Sequence, residues 1–172
     1  MDFKFDDLNK IPKIPETVFV AKSAEIIGNV VMCEFSSIWF NAVIRGDISL
    51  IKIGNRTNIQ DNVVIHSTPN DNVEIGNNVT IGHSAVIHGC KINDNVIIGM
   101  NATVLNGSEI GKNSIVGAGA LIPPRKKFPE NSIIIGVPGT IKKETNEADI
   151  EKIKDNAQLY VKLAKEYKAH KH

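Results

Sequence analysis

Three of the chain's five histidines, His66, His83 and His88, crowd into one short window, while His170 and His172 stand in a lysine-rich tail where solvent exposure is expected. Imidazole is the commonest protein ligand for metals, and three imidazoles with a fourth position left to water form an open zinc site. An ion held in this way lowers the pKa of its water towards neutrality. Hydroxide then exists at physiological pH and can attack an electrophile without any side-chain nucleophile. A lone histidine on a strand surface reads as an ordinary hydrogen-bonded residue; three in one window, two of them in register, point to a metal. Whether they can meet depends on the elements that carry them.

Around the histidines runs an apolar ladder with a step of six: Ile53, Ile59, Ile65; Ile75, Ile81, Ile87; Ile92, Ile98, Val104; Ile110, Val116, Ile122. An even step fits strand alternation, but one strong apolar residue in six is too sparse for a half-buried sheet strand, and helical spacing fails. Short strands joined by turns, each marked residue pointing inward from one side of a triangular coil, satisfy the pattern. Gly54-Asn55, Asp61-Asn62, Gly76-Asn77, Asp94-Asn95 and Gly111 lie between the marked positions and are expected to turn the corners with positive φ or bonds to their own backbone. The pattern resembles the left-handed parallel β-helix of the hexapeptide-repeat superfamily, an all-β solenoid running from about Val20 to about Ile135. Before Ile53 the register is less regular.

Ile65 and Ile87 are both third in their triplets, so His66 and His88 take the same place on one side in successive coils, about 4.8 Å apart. His83 follows Ile81, second in its triplet, and belongs to the neighbouring side. One chain does not easily unite the three. A three-fold oligomer does, by packing a side of one subunit against the adjacent side of the next, which predicts three intersubunit sites in a homotrimer.

Three runs now identify a family: Arg45-Gly46-Asp47; Asn58-Ile59-Gln60-Asp61-Asn62 leading to Ile65-His66; and Gly82-His83-Ser84-Ala85-Val86-Ile87-His88-Gly89-Cys90. In combination they resemble the γ-class carbonic anhydrases and their bacterial and archaeal homologues. The likeness continues through Ile98-Gly99-Met100, Val116-Gly117-Ala118-Gly119-Ala120 and Gly136-Val137-Pro138. It implies reversible hydration of CO2 at zinc or ferrous iron, with His66 and His88 binding from one subunit and His83 from the next. It also implies that Gln60 bonds the reacting oxygens, that Arg45 and Asp61 pair across the subunit boundary, and that Asp47 and Asn58 support that network. Without the resemblance, Gln60 and Asp61 read as corner residues and Arg45 with Asp47 as a surface ion pair.

The chain departs from the prototype of that family in two places. Ile48 stands where the prototype has a glutamate, and Ser67-Thr68-Pro69-Asn70-Asp71-Asn72 replaces a long acidic loop that supplies its proton shuttle. Regenerating hydroxide requires a proton to leave, so these differences bear on turnover.

From Asn146 to Lys168 the spacing changes to threes and fours at Ile150, Ile153, Ala157, Tyr160, Ala164 and Tyr167, with Glu147 and Asp149 opening the segment and lysines closing it. This predicts an amphipathic helix along the solenoid. Residues 1–140 are expected to form the β-helix with a short N-terminal extension, and 141–172 the helix and tail of the same domain. The resemblance implies that Tyr160 reaches the metal pocket; the plain alternative is an aromatic packed on the coil.

At 172 residues, 42% apolar and a net charge of +1, one domain is expected, with no general electrostatic reason to bind nucleic acid. Arg125-Lys126-Lys127 reads as a solvated loop. The opening Met1-Asp2-Phe3-Lys4 resembles no signal peptide and no apolar run reaches a membrane span of roughly 20 residues, so a cytoplasmic protein is expected. Cys33 and Cys90 make no disulfide framework, and Cys90 reads as a small buried residue rather than a ligand. Beside CO2 hydration two other functions stay open: an acyl-CoA acyltransferase or thioesterase of the same superfamily, and a catalytically weak assembly or scaffold subunit.

Overall fold

The computed structural model describes residues 7–170. The readings of the N-terminal residues 1–6 and of His172 fall outside them. The chain winds as a parallel β-solenoid of three sides, closed by one long helix. The first side stacks Phe19–Val20, Ser37–Ile38, Asn58–Ile59, Thr80–Ile81, Ile97–Ile98, Ile115–Val116 and Ser132–Ile135 in parallel. The second stacks Val64–His66, Val86–His88, Thr103–Val104 and Leu121–Ile122, and the third Val73–Ile75, Lys91–Ile92, Glu109–Ile110 and Lys127–Phe128. Val43–Ile53, eleven residues long, pairs with both Val64–His66 and Val73–Ile75, so the second and third sides form one continuous sheet. Glu25–Met32 pairs with that strand through a register shift between Gly28 and Val30, which is why the repeat is irregular before Ile53.

All twelve marked aliphatic residues point into the bore, none more than 3% exposed. The residue two positions earlier points inward as well: Val63, Val79, Ala85, Cys90, Val96, Ala102, Ser108, Ser114 and Ala120 are all buried. Each hexapeptide therefore buries two residues, the second ranging from Ala or Ser to Val and, before Ile53, to Ile51, and the bore is filled more densely than the six-step ladder implied. This register explains Cys90, whose thiol is pushed up to about 12 by burial and is chemically quiet.

The corners differ from expectation in one respect. Asn62 and Asn95 take positive φ as anticipated, but beside Gly54, Gly76 and Gly111 the left-handed residues are Arg56, Asn78 and Asn113. Those glycines serve a different need: a Cβ at Gly54 would stand 2.4 Å from the Gly76 carbonyl oxygen, and one at Gly111 would stand 2.4 Å from the Glu130 nitrogen. Close approach of the next coil selects glycine there. The asparagine corners bond in series, Asn78 to Asn95, Asn95 to Asn113 and Asn113 to Asn131, at 3.0–3.2 Å.

Outward positions on the third side alternate in sign through the register Lys52, Glu74, Lys91, Glu109 and Lys127. Such a ladder favours water over an apolar partner surface. Arg125, Lys126 and Lys127 are exposed, as expected.

The helix runs Glu147–Ala169, with Asn146 as N-cap and a reciprocal bond to Asp149 that completes a capping box. Ile153, Ala157, Val161 and Ala164 are buried; Val161 lay outside the expected stripe, and Ile150 is only partly covered. The helix lies against the first side, where Phe19, Trp39, Tyr160 and Tyr167 pack ring to ring. An unexpected antiparallel strand, Thr140–Glu144, pairs with Ser132–Ile135 and leads into it. No helix among the described residues is long and apolar enough to cross a membrane.

Candidate metal centre

Strand register brings two of the three histidines together. His66 pairs with His88 in the parallel ladder and Arg45 pairs with His66, so the three form one column up the second side. His66 Nδ1 lies 3.1 Å from His88 Nε2. What occupies the far nitrogens decides what this contact means. His66 Nε2 is 3.1 Å from Asp47 Oδ1, and His88 Nδ1 is 2.8 Å from Asn106 Oδ1. A carboxylate and an amide oxygen only accept; in the tautomers that donate to them, each imidazole keeps a lone pair on the nitrogen facing the other ring.

Two lone pairs facing each other at this distance repel unless a positive centre lies between them. Two nitrogens bound to one tetrahedral zinc at 2.0–2.1 Å stand about 3.3 Å apart, close to the spacing observed here. A proton is the competing centre, but it is disfavoured: burial and the neighbouring Arg45 charge hold the His66 pKa below its usual value, against the pull of Asp47. The donor set therefore fits a divalent metal.

His83 occupies the corner turn between the first and second sides, rather than the neighbouring side itself. Its Nδ1 lies 2.8 Å from Asp61 Oδ2, which again takes the N–H and leaves Nε2 as an acceptor on a side chain that is 40% exposed. His83 opens the second side and His88 closes it, so within one chain they do not meet. Among the described residues, no group of three His, Cys, Asp or Glu side chains in the chain is placed to hold an ion.

The residues around these ligands form two networks. Asp47 joins His66 to Arg45, whose Nη1 is 2.5 Å from Asp47 Oδ2; burial works against the carboxylate, yet the bonds from Arg45 and His66 keep its pKa low. Gln60, 4% exposed, accepts the His83 backbone N–H at 3.2 Å and donates to Asn58 Oδ1 at 3.1 Å. Asn58 donates to Thr80 Oγ1 at 2.9 Å, and Asn156 of the helix donates to the same oxygen at 2.8 Å. Within a single chain Arg45 is thus paired with Asp47 and Asp61 with His83.

Tyr160 packs edge-on against Trp39, with ring centroids 5.4 Å apart. Burial, and then the charge of Asp61, raise its phenol pKa, so it lies on the His83 side of the site. Asn106, Thr80 and Asn156 were not singled out from sequence. Asn106-Gly107 reads as a turn, and its role emerges only from counting one coil forward from His88. Asn156 and Thr80 are joined by helix docking, which leaves no trace in the repeat. A cavity of about 740 Å³ opens on the third side among Lys52, Glu74, Lys91 and Asp94, away from all three histidines.

Both pKa shifts act in the same direction in the metal-free protein. His66 in the fold resists a proton that an unfolded histidine accepts near 6.5, so its contribution is full above that pH and declines as pH falls below it. Asp47 adds stability present above 3.8 and lost as pH falls through its lower native value. Urea unfolding from about pH 8 down to about pH 3 is expected to show a two-stage loss of stability, with the second stage reduced in Asp47→Asn. Stability that stays flat through the first window contradicts the placement of His66.

The sequence profile of the bacterial transferase hexapeptide (six repeats) family matches residues 89–124. A Methanocaldococcus jannaschii protein named "Probable carbonic anhydrase" is 52% identical over 158 residues, covering 92% of this chain and 99% of that protein. The mitochondrial Gamma carbonic anhydrase 2 of Arabidopsis thaliana is 39% identical over 163 residues, covering 91% of this chain and 58% of that protein. Among solved structures, a hexapeptide transferase family protein from Anaplasma phagocytophilum superposes with a TM-score of 0.87 at 34% identity, covering 91% of this chain and 92% of the other.

Proposed function

The chain belongs to the γ-class carbonic anhydrase-like family of hexapeptide-repeat proteins, and from that premise we propose that it is a metal-dependent carbonic anhydrase, hydrating CO2 reversibly at sites shared between subunits of a cytoplasmic homotrimer. The observation that carries this reading is the approach of His66 Nδ1 to His88 Nε2 at 3.1 Å, with an oxygen acceptor behind each ring. His66 and His88 of one subunit with His83 of the partner subunit would hold zinc or ferrous iron, both of which accept imidazole donors. The bound cation supplies Lewis acidity that makes hydroxide available near neutral pH.

The chain's own residues orient the reactants. Asp47 and Asp61 hold His66 and His83 in the tautomers that leave a nitrogen free for the ion. Gln60 is clamped at its oxygen by His83 and at one N–H by Asn58, which leaves its second amide N–H to orient a reacting oxygen. Arg45, 44% exposed, secures Asp47, and in the trimer it would reach Asp61 of the partner subunit. Tyr160 stands on the His83 side, within reach of the Asp61 charge. The exposed Val64 lies on the side that carries His66 and His88, where a neighbouring subunit would cover it.

A second reading, hydrolysis or transfer of an acyl group from coenzyme A, is favoured by the transferase name of the superposed solved structure. Stopped-flow CO2 hydration, metal analysis after anaerobic purification and acetyl-CoA hydrolysis separate the readings. About one metal per chain with CO2 hydration supports the first. Metal with thioester hydrolysis alone favours the second, and neither metal nor turnover leaves an assembly or scaffold role.

A further inference from the structure

Asn106 sits in the corner turn between the second and third sides, one coil beyond His88. Its main chain is pinned on both sides: the Arg125 N–H donates to its carbonyl at 2.7 Å, and the following Gly107, at φ +65°, donates to the Gly89 carbonyl at 2.7 Å. The stacked corner sets Asn106 Oδ1 2.8 Å from His88 Nδ1. No other side-chain contact among the described residues is assigned to that nitrogen. The alternative state of the pair is simple. Were the His88 proton on Nε2, it would be donated to His66 Nδ1 across the 3.1 Å gap, while His66 still donated to Asp47. The two histidines would then satisfy each other, and the acceptors needed for an ion would be gone.

We propose that Asn106 is a positioning residue that prevents this: by accepting the Nδ1–H of His88 it keeps the His88 Nε2 lone pair aimed at His66 Nδ1 and the pair open to a divalent cation. This rests on the proposed metal site, and it adds a residue that touches neither ion nor substrate. The chemistry asked of position 106 is an acceptor oxygen, not an amide as such. Asn106→Asp preserves that oxygen; Asn106→Leu matches the volume and removes it.

Two measurements test the proposal. Zinc affinity, read by competition with a chelator, is expected to fall about 10–100-fold in Asn106→Leu and to stay within about threefold of wild type in Asn106→Asp. Thermal melting of the metal-free proteins controls for folding. Independently of any metal, ¹⁵N NMR of the imidazoles at a pH where both rings are neutral is expected to show His88 as the Nδ1–H tautomer in wild type and Asn106→Asp, shifting towards Nε2–H in Asn106→Leu. An Nε2–H His88 in the wild-type protein, or the same tautomer and zinc affinity in all three, overturns the assignment. Failure of the wild-type protein to bind zinc counts against the metal site itself, and the tautomer measurement still decides the role of Asn106.

Discussion

His83→Ala is expected to weaken zinc binding by more than about 100-fold, beyond the usual cost of losing an outer partner of a ligand, and to abolish CO2 hydration with it. The size of the effect is informative because the His83 side chain is 40% exposed and stands apart from His66 and His88 in its own chain. A substitution at such a position ordinarily shifts stability by no more than about 0.5 kcal/mol. Metal content, stopped-flow hydration and the melting curve of the metal-free variant therefore move separately: the first two collapse and the third stays near that of the metal-free wild type. His170→Ala is the control, since that exposed ring bonds the Glu166 carbonyl at the end of the helix.

The second large effect is on stability. Ile81→Ala is expected to destabilise the fold by about 2–5 kcal/mol, a major fraction of the total for a domain of this size. Ile81 is fully buried and lies between Ile59 in the coil below and Ile98 in the coil above, each held by backbone ladders, so the bore cannot collapse onto the vacated space. Val64→Ala, 41% exposed on the outside of the second side, is expected to cost a few tenths of a kcal/mol in an isolated subunit. Urea unfolding of the two variants checks the contrast. Equal small losses contradict a close-packed bore.

The solenoid was legible because its repeat is periodic and its marked residues are large aliphatics, which leave a signal no turn or loop imitates. The stacking of His66 on His88 was legible for the same reason, since both follow the third marked residue of a triplet. Less visible was the second inward residue of each hexapeptide: Cys90 reads as buried, but Ala and Ser at Ala85 and Ser108 look like surface or turn residues when read singly. Gly54 and Gly111 were recognised as special for an insufficient reason: sequence distinguishes glycine from other residues, but not positive φ from the close approach of a neighbouring coil. The strand Thr140–Glu144, exposed along its length, has no apolar alternation to announce it.

The site was legible in its ligands and less so in their supports. Resemblance placed Asp47 and Asp61 near the histidines, but the assignment of each carboxylate to one ring, Asp47 to His66 and Asp61 to His83, depends on corner geometry that spacing does not encode. Asn106 is missed because asparagine is so common at the corners of this chain that composition cannot single out the one beside His88, and Asn156 because its bond to Thr80 depends on how the helix docks.

The central claim is that one ion is held by imidazoles of two polypeptides, and mixing two defective subunits tests it directly. His66→Ala and His83→Ala chains, each unable to bind zinc alone, are to be co-expressed in equal amounts, and zinc content and CO2 hydration measured on the mixed oligomers. If the site is shared around a closed ring, about one boundary in four joins an intact His83 to an intact His66 and His88, so about a quarter of the wild-type zinc and activity is expected to return. No recovery in oligomers verified to contain both chains, or wild-type zinc binding by a monomer, contradicts the shared site.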